Sequence, residues 1–176
     1  SYMLESRNVS QTLLSKLYQS QSVLPVADYP KRLKACLSST TNKYDPQIVV
    51  LTPGRFNSAY YEHAFLAREM NVPLVHGYDL IVENNHVYIQ GVRGKVQVDV
   101  IYRRIDDPFL DPLAFLPDSI LGVSGLMSAY RAGNVVITNA PGTGIADDKS
   151  LYPFVPKIIE YYLGEKPILP NVQTYQ

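Results

Sequence analysis

The sequence contains no tryptophan and a single cysteine, Cys36. One thiol excludes an internal disulfide and a cysteine-built zinc cluster, and Cys36 itself reads as a small buried apolar residue. Neither sign of charge is in excess. In 176 residues, 16 Lys+Arg stand against 16 Asp+Glu, for a formal net charge of +0. A general nucleic-acid binder would carry a basic surplus to neutralise phosphates, so no nucleic-acid partner is expected. No apolar run approaches the roughly 18–20 residues that span a bilayer. The opening Ser1–Arg7 also lacks the basic-then-apolar order of a secretory leader. A cytoplasmic protein without membrane contact is the expectation. The three histidines, His63, His76 and His86, do not fall at metal-ligand spacing. No serine sits in a G-x-S-x-G elbow, which argues against a hydrolase triad.

What is present is 46% hydrophobic residues with 14 tyrosines, enough for one domain with a substantial core, or a domain and an appendage. Residues 1–45 differ from the rest. Leu13, Leu14, Leu17 and Tyr18 recur at helical spacing behind a capping candidate, Ser10. Pro25 and Pro30 then interrupt the chain, and residues 31–38 form a second short helix with Leu33 and Leu37 on one face. The polar run 38–43 reads as a linker.

From Gln47 the pattern alternates strand and helix. Ile48–Leu51 is a β-branched apolar run of the kind buried on both sheet faces. A helix over 58–70 follows, with Tyr61, Phe65 and Leu66 inward and Asn71 as its stop. Strands are predicted at 73–76, 79–82 and 86–89, the last two joined by the hairpin signal Asn84-Asn85. One long strand is predicted over 95–102, a helix over 119–131 stopped by Gly133-Asn134, and a strand over 135–138. A glycine-rich loop covers 139–148. A last helix covers 149–163, regular only after Pro153, with Val155, Ile158, Ile159 and Tyr162 inward and Gly164 closing it. Alternating βα units imply an α/β domain: a three-layer, mostly parallel sheet with helices on both faces, over residues 46–163. The N-terminal helical segment 1–45 is an appendage, and 164–176 is a C-terminal extension.

Ligands of such sheets collect beyond the carboxyl ends of the strands, and the residues following each strand are the chemically rich ones. Thr52, Pro53 and Gly54, with Asn57 and Ser58 behind them, read either as an anion-binding turn at a helix start or as an ordinary βα turn. Arg103-Arg104-Ile105-Asp106-Asp107 is the densest charge cluster. Consecutive strand residues point to opposite faces, so one arginine at most faces a given pocket. There it can grip a carboxylate or phosphate through its guanidinium fork. Asp106 and Asp107 hold that guanidinium, cap the next segment or help bind Mg²⁺; a structural ion-pair cluster is the alternative. Asn139, Gly142, Thr143, Gly144 and Lys149 read as a backbone cradle for phosphate with a cation nearby, or as a flexible connection into a carboxylate-capped helix.

Several stretches together carry a family resemblance: Leu51-Thr52-Pro53-Gly54, Asn57–His63 with Glu62, Ile101–Pro112, Gly142–Lys149, Tyr161–Glu165 and Asn171–Tyr175. The sequence resembles the circularly permuted ATP-grasp family, related to glutathionylspermidine synthase and more distantly to eukaryotic-type glutathione synthetase. The resemblance implies an ATP-dependent carboxylate–amine ligase using ATP and Mg²⁺, with a small-molecule carboxylate and an amine as substrates. It makes the middle region, residues 46–163, similar to the substrate-binding, pre-ATP-grasp-like domain of such an enzyme, and residues 1–45 a remnant of the preceding ATP-grasp part. Arg103 and Arg104 would then be catalytic. Thr52, Pro53, Gly54, Asn57, Glu62, Asp106, Asp107 and Asn139 would face substrate, and Gly142, Thr143, Gly144 and Lys149 the nucleotide. Members of the family are much longer, and the acidic-Asn stretch usual in them would precede Ser1. The chain is therefore expected to be a fragment, inactive alone, whose partner is the remainder of its parent chain. A non-catalytic binding or assembly module that keeps the fold is the alternative.

Overall fold

The computed structural model describes residues 2–21, 26–92 and 94–174, with side chains from residue 6 onward. Two compact units emerge, residues 1–139 and 140–176, and each is described by itself. The first opens with helices α1 (Tyr2–Leu13), α2 (Ser15–Ser20) and α3 (Tyr29–Ser38). Ser10 lies inside α1, where its carbonyl accepts the Leu14 N–H, rather than capping a helix start. Pro30 begins α3 instead of breaking the chain, because its missing N–H falls in the first turn. Pro25 lies outside the described residues. Leu37 is buried and Leu33 packs beside it, as their spacing predicts, which leaves Cys36 on the exposed side of α3. The expectation of a buried thiol is thus overturned by a rotation of one residue around the helix.

The strands β1 (Ile48–Leu51), β2 (Leu74–Val75), β6 (Val100–Arg103) and β7 (Val136–Thr138) form one sheet in the order β2-β1-β6-β7, all parallel. Every residue of β1 and β6 is buried. Alternation sends Ile48, Val50, Val100 and Tyr102 to one face, against Leu37 and against Leu66, Ala67 and Met70 of α4 (Tyr60–Met70). Val49, Leu51, Ile101 and Ile137 face the other way.

That second face is covered differently from the prediction. The hairpin β3 (Leu80–Glu83) and β4 (His86–Gly91) turns through Asn84 and Asn85, both left-handed at φ 49° and 59°, as the sequence indicates. With β5 (Gly94–Val98) it makes a separate antiparallel sheet, β3-β4-β5. Leu80, Val87 and Val98 of this sheet pack onto the parallel one, together with Leu126 and Ala129 of the short helix α5 (Leu126–Arg131). The three layers are therefore helices, parallel sheet, and an antiparallel sheet with one helix.

Two corrections have local causes. The long strand predicted over 95–102 is two strands in two sheets, and Asp99 is the switch. Its carboxylate accepts the Gln47 N–H at 2.9 Å and pairs with Lys43, while its own N–H goes to the Gln47 carbonyl. The helix predicted from 119 starts only at Leu126. Gly122 lies against the chain at 109–110 so closely that a Cβ would sit 2.1 Å from the Phe109 carbonyl oxygen. The helix is started instead by Asp111, whose buried carboxylate accepts the N–H groups of Gly125 (3.0 Å) and Met127 (2.9 Å), with Leu113 N–H as a third donor. Tyr61, expected inward on α4, is exposed and stacks on Phe65. The inward positions carry Glu62 and His63 instead.

In the second unit, Thr143–Asp147 and Tyr152–Phe154 are 3-10 turns and α6 runs over Val155–Leu163. No residue of α6 is fully buried; of the stripe expected inward, Val155 and Ile159 are half-buried, whereas Ile158 and Tyr162 are exposed. The C-terminal segment returns to Tyr152, whose carbonyl accepts from the Asn171 amide and whose hydroxyl accepts the Val172 N–H. Among the described residues no helix is long and apolar enough to cross a membrane.

Replacing Asp111 leaves three backbone donors without their acceptor in a dry site. Asp111→Ala is expected to cost about 3 kcal/mol, and Asp111→Asn distinctly less, in urea-unfolding midpoints. Equal midpoints for wild type and Asp111→Ala would contradict this role.

Candidate functional site

Parallel pairing in register brings the carboxyl ends of β1, β2, β6 and β7 to one edge of the sheet. Leu51 lies opposite both Val75 and Arg103, and the Arg104 N–H donates to the Leu51 carbonyl at 2.9 Å. The loops that leave this edge carry most of the residues singled out above.

After β1 the chain turns sharply. Gly54 has φ +66°, and a Cβ there would meet His76 Nε2 at 2.9 Å, so glycine is required on both counts. The Gly54 N–H donates to Thr52 Oγ1 at 3.0 Å, and the same hydroxyl is bonded to His63 Nδ1 at 2.8 Å. Thr52 is fully buried, so its side chain braces the turn from within. Pro53 precedes the 3-10 turn Gly54–Phe56. Asn57 accepts the Ala59 N–H on its side chain at 2.8 Å and sets the entry to α4.

The two arginines diverge, as neighbours at a strand end do. Arg103 is only 8% exposed and is held on three sides. Its Nε donates to the Asn139 carbonyl at 2.7 Å, Nη1 donates to the Ile105 carbonyl at 2.8 Å, and Asp107 completes an ion pair at 2.5 Å. The Asn139 amide returns a bond to the Arg103 carbonyl, locking the ends of β6 and β7 together. Asp106 is exposed; its carbonyl accepts the Phe109 N–H at the start of the next 3-10 turn. Arg104 lies on the α3–α4 side, 5.8 Å above the Tyr102 ring, with Nη2 3.2 Å from Glu62 Oε1. Glu62 is 5% exposed and sits in the first turn of α4, where the helix N-terminus favours a carboxylate. Burial, with the charges of Tyr102 and Glu62 as lesser causes and that of Arg104 opposing them, raises the pKa of Tyr29 on α3.

His63 follows Glu62 and is completely buried. Burial, reinforced by the nearby Arg104 cation, lowers its pKa from 6.5 to about 4, so the ring is neutral at pH 7. Its Nε2 has no hydrogen-bond partner among the described residues.

Beside this cluster, between the ends of β1 and β2, lies a cavity of about 400 Å³. Its floor is Thr52–Gly54 and its walls include Tyr60, His76 and Tyr78. The loop carrying Ile120 and Leu121 closes one side. Gly77 allows that approach: a Cβ would lie 2.3 Å from the carbonyl oxygens of Leu121 and Gly122. The sequence gives no sign of Tyr60, Ile120 or Leu121 in the site, since their placement depends on two loops meeting. His76 stands out in the sequence only as a histidine without metal spacing.

Gly142, Thr143, Gly144 and Lys149 belong to the second unit. All four are exposed, with Gly142 at φ +88°. The Thr143 hydroxyl and N–H both turn back onto the Ala140 carbonyl, at 2.8 and 3.3 Å. The Ser150 N–H, on the carboxylate of Asp148, lowers the pKa of that exposed acid. Among the described residues no three His, Cys, Asp or Glu side chains are placed to hold a metal ion.

The depressed histidine sets a pH dependence. Unfolded chains bind a proton to His63 below about pH 6.5, whereas the folded protein resists it until about pH 4. The stability that goes with neutral His63 is therefore complete above the unfolded value and falls as pH drops through that window. Between pH 7 and pH 4.5, wild type is expected to lose about 2 kcal/mol more than His63→Gln in urea titrations. Parallel pH profiles would contradict the assignment.

The whole chain, residues 1–176, matches the sequence model of a family described as "A circularly permuted ATPgrasp". An uncharacterized protein of Mycobacterium tuberculosis is 53% identical over 176 residues, covering 99% of this chain and 32% of the relative. An uncharacterized protein of Synechocystis is 49% identical over 177 residues, covering 99% and 37%. A Frankia alni protein named "Putative glutamate--cysteine ligase 2-3" is 40% identical over 177 residues, covering 99% and 20%. The chain thus spans between 20% and 37% of the length of these relatives. Matched from its first residue to its last, the chain belongs to the circularly permuted ATP-grasp family.

Proposed function

We propose that the chain is the substrate-side region of an ATP-dependent carboxylate–amine ligase, working in the cytoplasm with the remainder of its parent protein. Family membership over all 176 residues carries this reading, and the name of the Frankia relative supports the reaction class. In such a reaction a carboxylate oxygen attacks the terminal phosphorus of ATP and ADP leaves. The amine nitrogen then attacks the acyl carbon, and phosphate departs with that oxygen.

The chain's own part is to offset charge as it builds on the transferring phosphoryl group and on the tetrahedral intermediate. Arg104 suits this task best: it is partly exposed, and among the described residues Glu62 engages it through Nη2 alone. Glu62 holds that guanidinium in place. Arg103, with Asp107 and Asn139, positions the strand ends on which Arg104 is carried. Pro53, Gly54 and Asn57 shape the neighbouring floor, and exposed Asp106 is an amine-side contact. For the nucleotide phosphates, the exposed Gly142, Gly144 and Lys149 fit a cradle, while Thr143 shapes its turn. Among the described residues no three metal-ligating side chains are gathered, and no role toward Mg²⁺ is assigned to them. A second reading, a binding module without turnover, is favoured by the complete internal engagement of Arg103.

The test is ADP release by the full-length protein with ATP, Mg²⁺ and panels of acids and amines. Release that requires both an acid and an amine is expected. Arg104→Ala is expected to lower kcat/KM about 100-fold, while Lys157→Ala on exposed α6 stays within about twofold. ATP binding without turnover in any acid–amine combination would overturn the ligase reading in favour of the binding module.

A further inference from the structure

The cavity between the ends of β1 and β2 has a chemistry of its own. Four rings border it: Phe56, Tyr60, His76 and Tyr78. His76 and Tyr78 stack with centroids 5.0 Å apart and planes within 5°, making one flat wall, and Tyr60 adds a tilted ring 6.4 Å from His76. Several of these groups stand open to solvent although they are apolar: Phe56 is 67%, Tyr78 75% and Ile120 82% exposed. Exposed apolar side chains gathered around a concave site at the ligand edge of a parallel sheet mark a surface that a ligand covers.

The polar groups are few. Among the described residues no Asp, Glu or Lys lines the cavity, and the one permanent charge there is Arg55. Arg55 lies on the turn after β1 with its guanidinium 5.6 Å from the Phe56 ring centre, and no carboxylate is paired with it among the described residues. The other basic side chain, His76, has Nδ1 turned 3.3 Å from Asp79 Oδ2, while its Nε2 edge packs over Gly54. The Gly54 N–H is taken by Thr52. A phosphate group would therefore find one cation and little else to bind. A dicarboxylate would have to bury its second charge against rings, which is costly without a partner.

We propose that this cavity binds one of the ligase's organic substrates, and that this substrate is a monocarboxylate with a flat or branched apolar body. Its carboxylate pairs with Arg55. Its body lies along the His76–Tyr78 wall and under Ile120. A volume of about 400 Å³ suits a molecule the size of an aromatic or aliphatic amino acid or a small arylalkanoic acid. The inference rests on the ligase reading for the word substrate, whereas the ligand class stands on the cavity alone.

Calorimetric titration of the full-length protein with 3-phenylpropanoate and L-leucine tests it, with glutarate, phenethylamine and inorganic phosphate as controls. The first two are expected to bind more tightly than the controls. Tyr78→Ala, at an exposed position where folding is not at stake, is expected to weaken 3-phenylpropanoate about tenfold. Arg55→Gln is expected to weaken it about tenfold and to leave phenethylamine within about twofold. Glutarate or phosphate binding as tightly as 3-phenylpropanoate would overturn the proposal. So would affinities unchanged in both variants, or no binding of either apolar acid up to about 10 mM. ADP release measured on the same preparations separates the two readings. Binding as expected without turnover keeps the cavity assignment and removes the ligase. Turnover with polar acids alone keeps the ligase and removes the cavity assignment.

Discussion

Two strands buried on both faces govern the first unit. β1 and β6 lie side by side at the middle of the parallel sheet, and none of their residues can face water. Such a pair must be covered twice, once by α3 and α4 and once by the antiparallel sheet with α5. Its register then fixes where the chain emerges. Leu51 opposite Arg103 puts the turn at Thr52–Gly54 next to the two arginines, with no freedom to slide, because a one-residue slip would exchange the two buried faces.

The polar groups at that edge are arranged so that one arginine is structural and the other is available. Arg103 spends its donors on carbonyls and on Asp107, which ties β6 to β7. Arg104, on the opposite side of the strand, is set by one buried carboxylate, Glu62. The next residue on α4, His63, stays neutral because a second cation buried near Arg104 would be disfavoured by both desolvation and repulsion. Its bond to Thr52 links the helix to the turn after β1. Strand, turn and helix thus hold one another at the place where a ligand of this fold would lie.

The β-branched run Ile48–Leu51, the Asn84-Asn85 turn and the αL stop at Asn71 (φ 52°) were legible because each is a local signal with one physical reading. The divergence of Arg103 from Arg104 followed from strand periodicity alone. Illegible features depended on distant partners. Residues 95–102 alternate as one strand would, and only the hold of Gln47 and Lys43 on Asp99 divides them between two sheets. The helix expected from residue 119 would have to cross Gly122 and Gly125; the contact of Gly122 with the chain at 109–110 and the carboxylate of Asp111 move its start to Leu126. For the same reason the aromatic cavity was hidden: Tyr60, Tyr78 and Ile120 are 18 or more residues apart and meet only through Gly77 and Gly122.

That the carboxyl edge of the parallel sheet is the substrate site is the claim on which the functional account stands. Hydrogen–deuterium exchange of the full-length protein, with and without a saturating carboxylate ligand, addresses it peptide by peptide. The account predicts slowed exchange in the peptides covering residues 52–60, 76–79 and 101–106, with the opposite edge of the sheet unchanged. Protection confined to peptides outside these segments would contradict it.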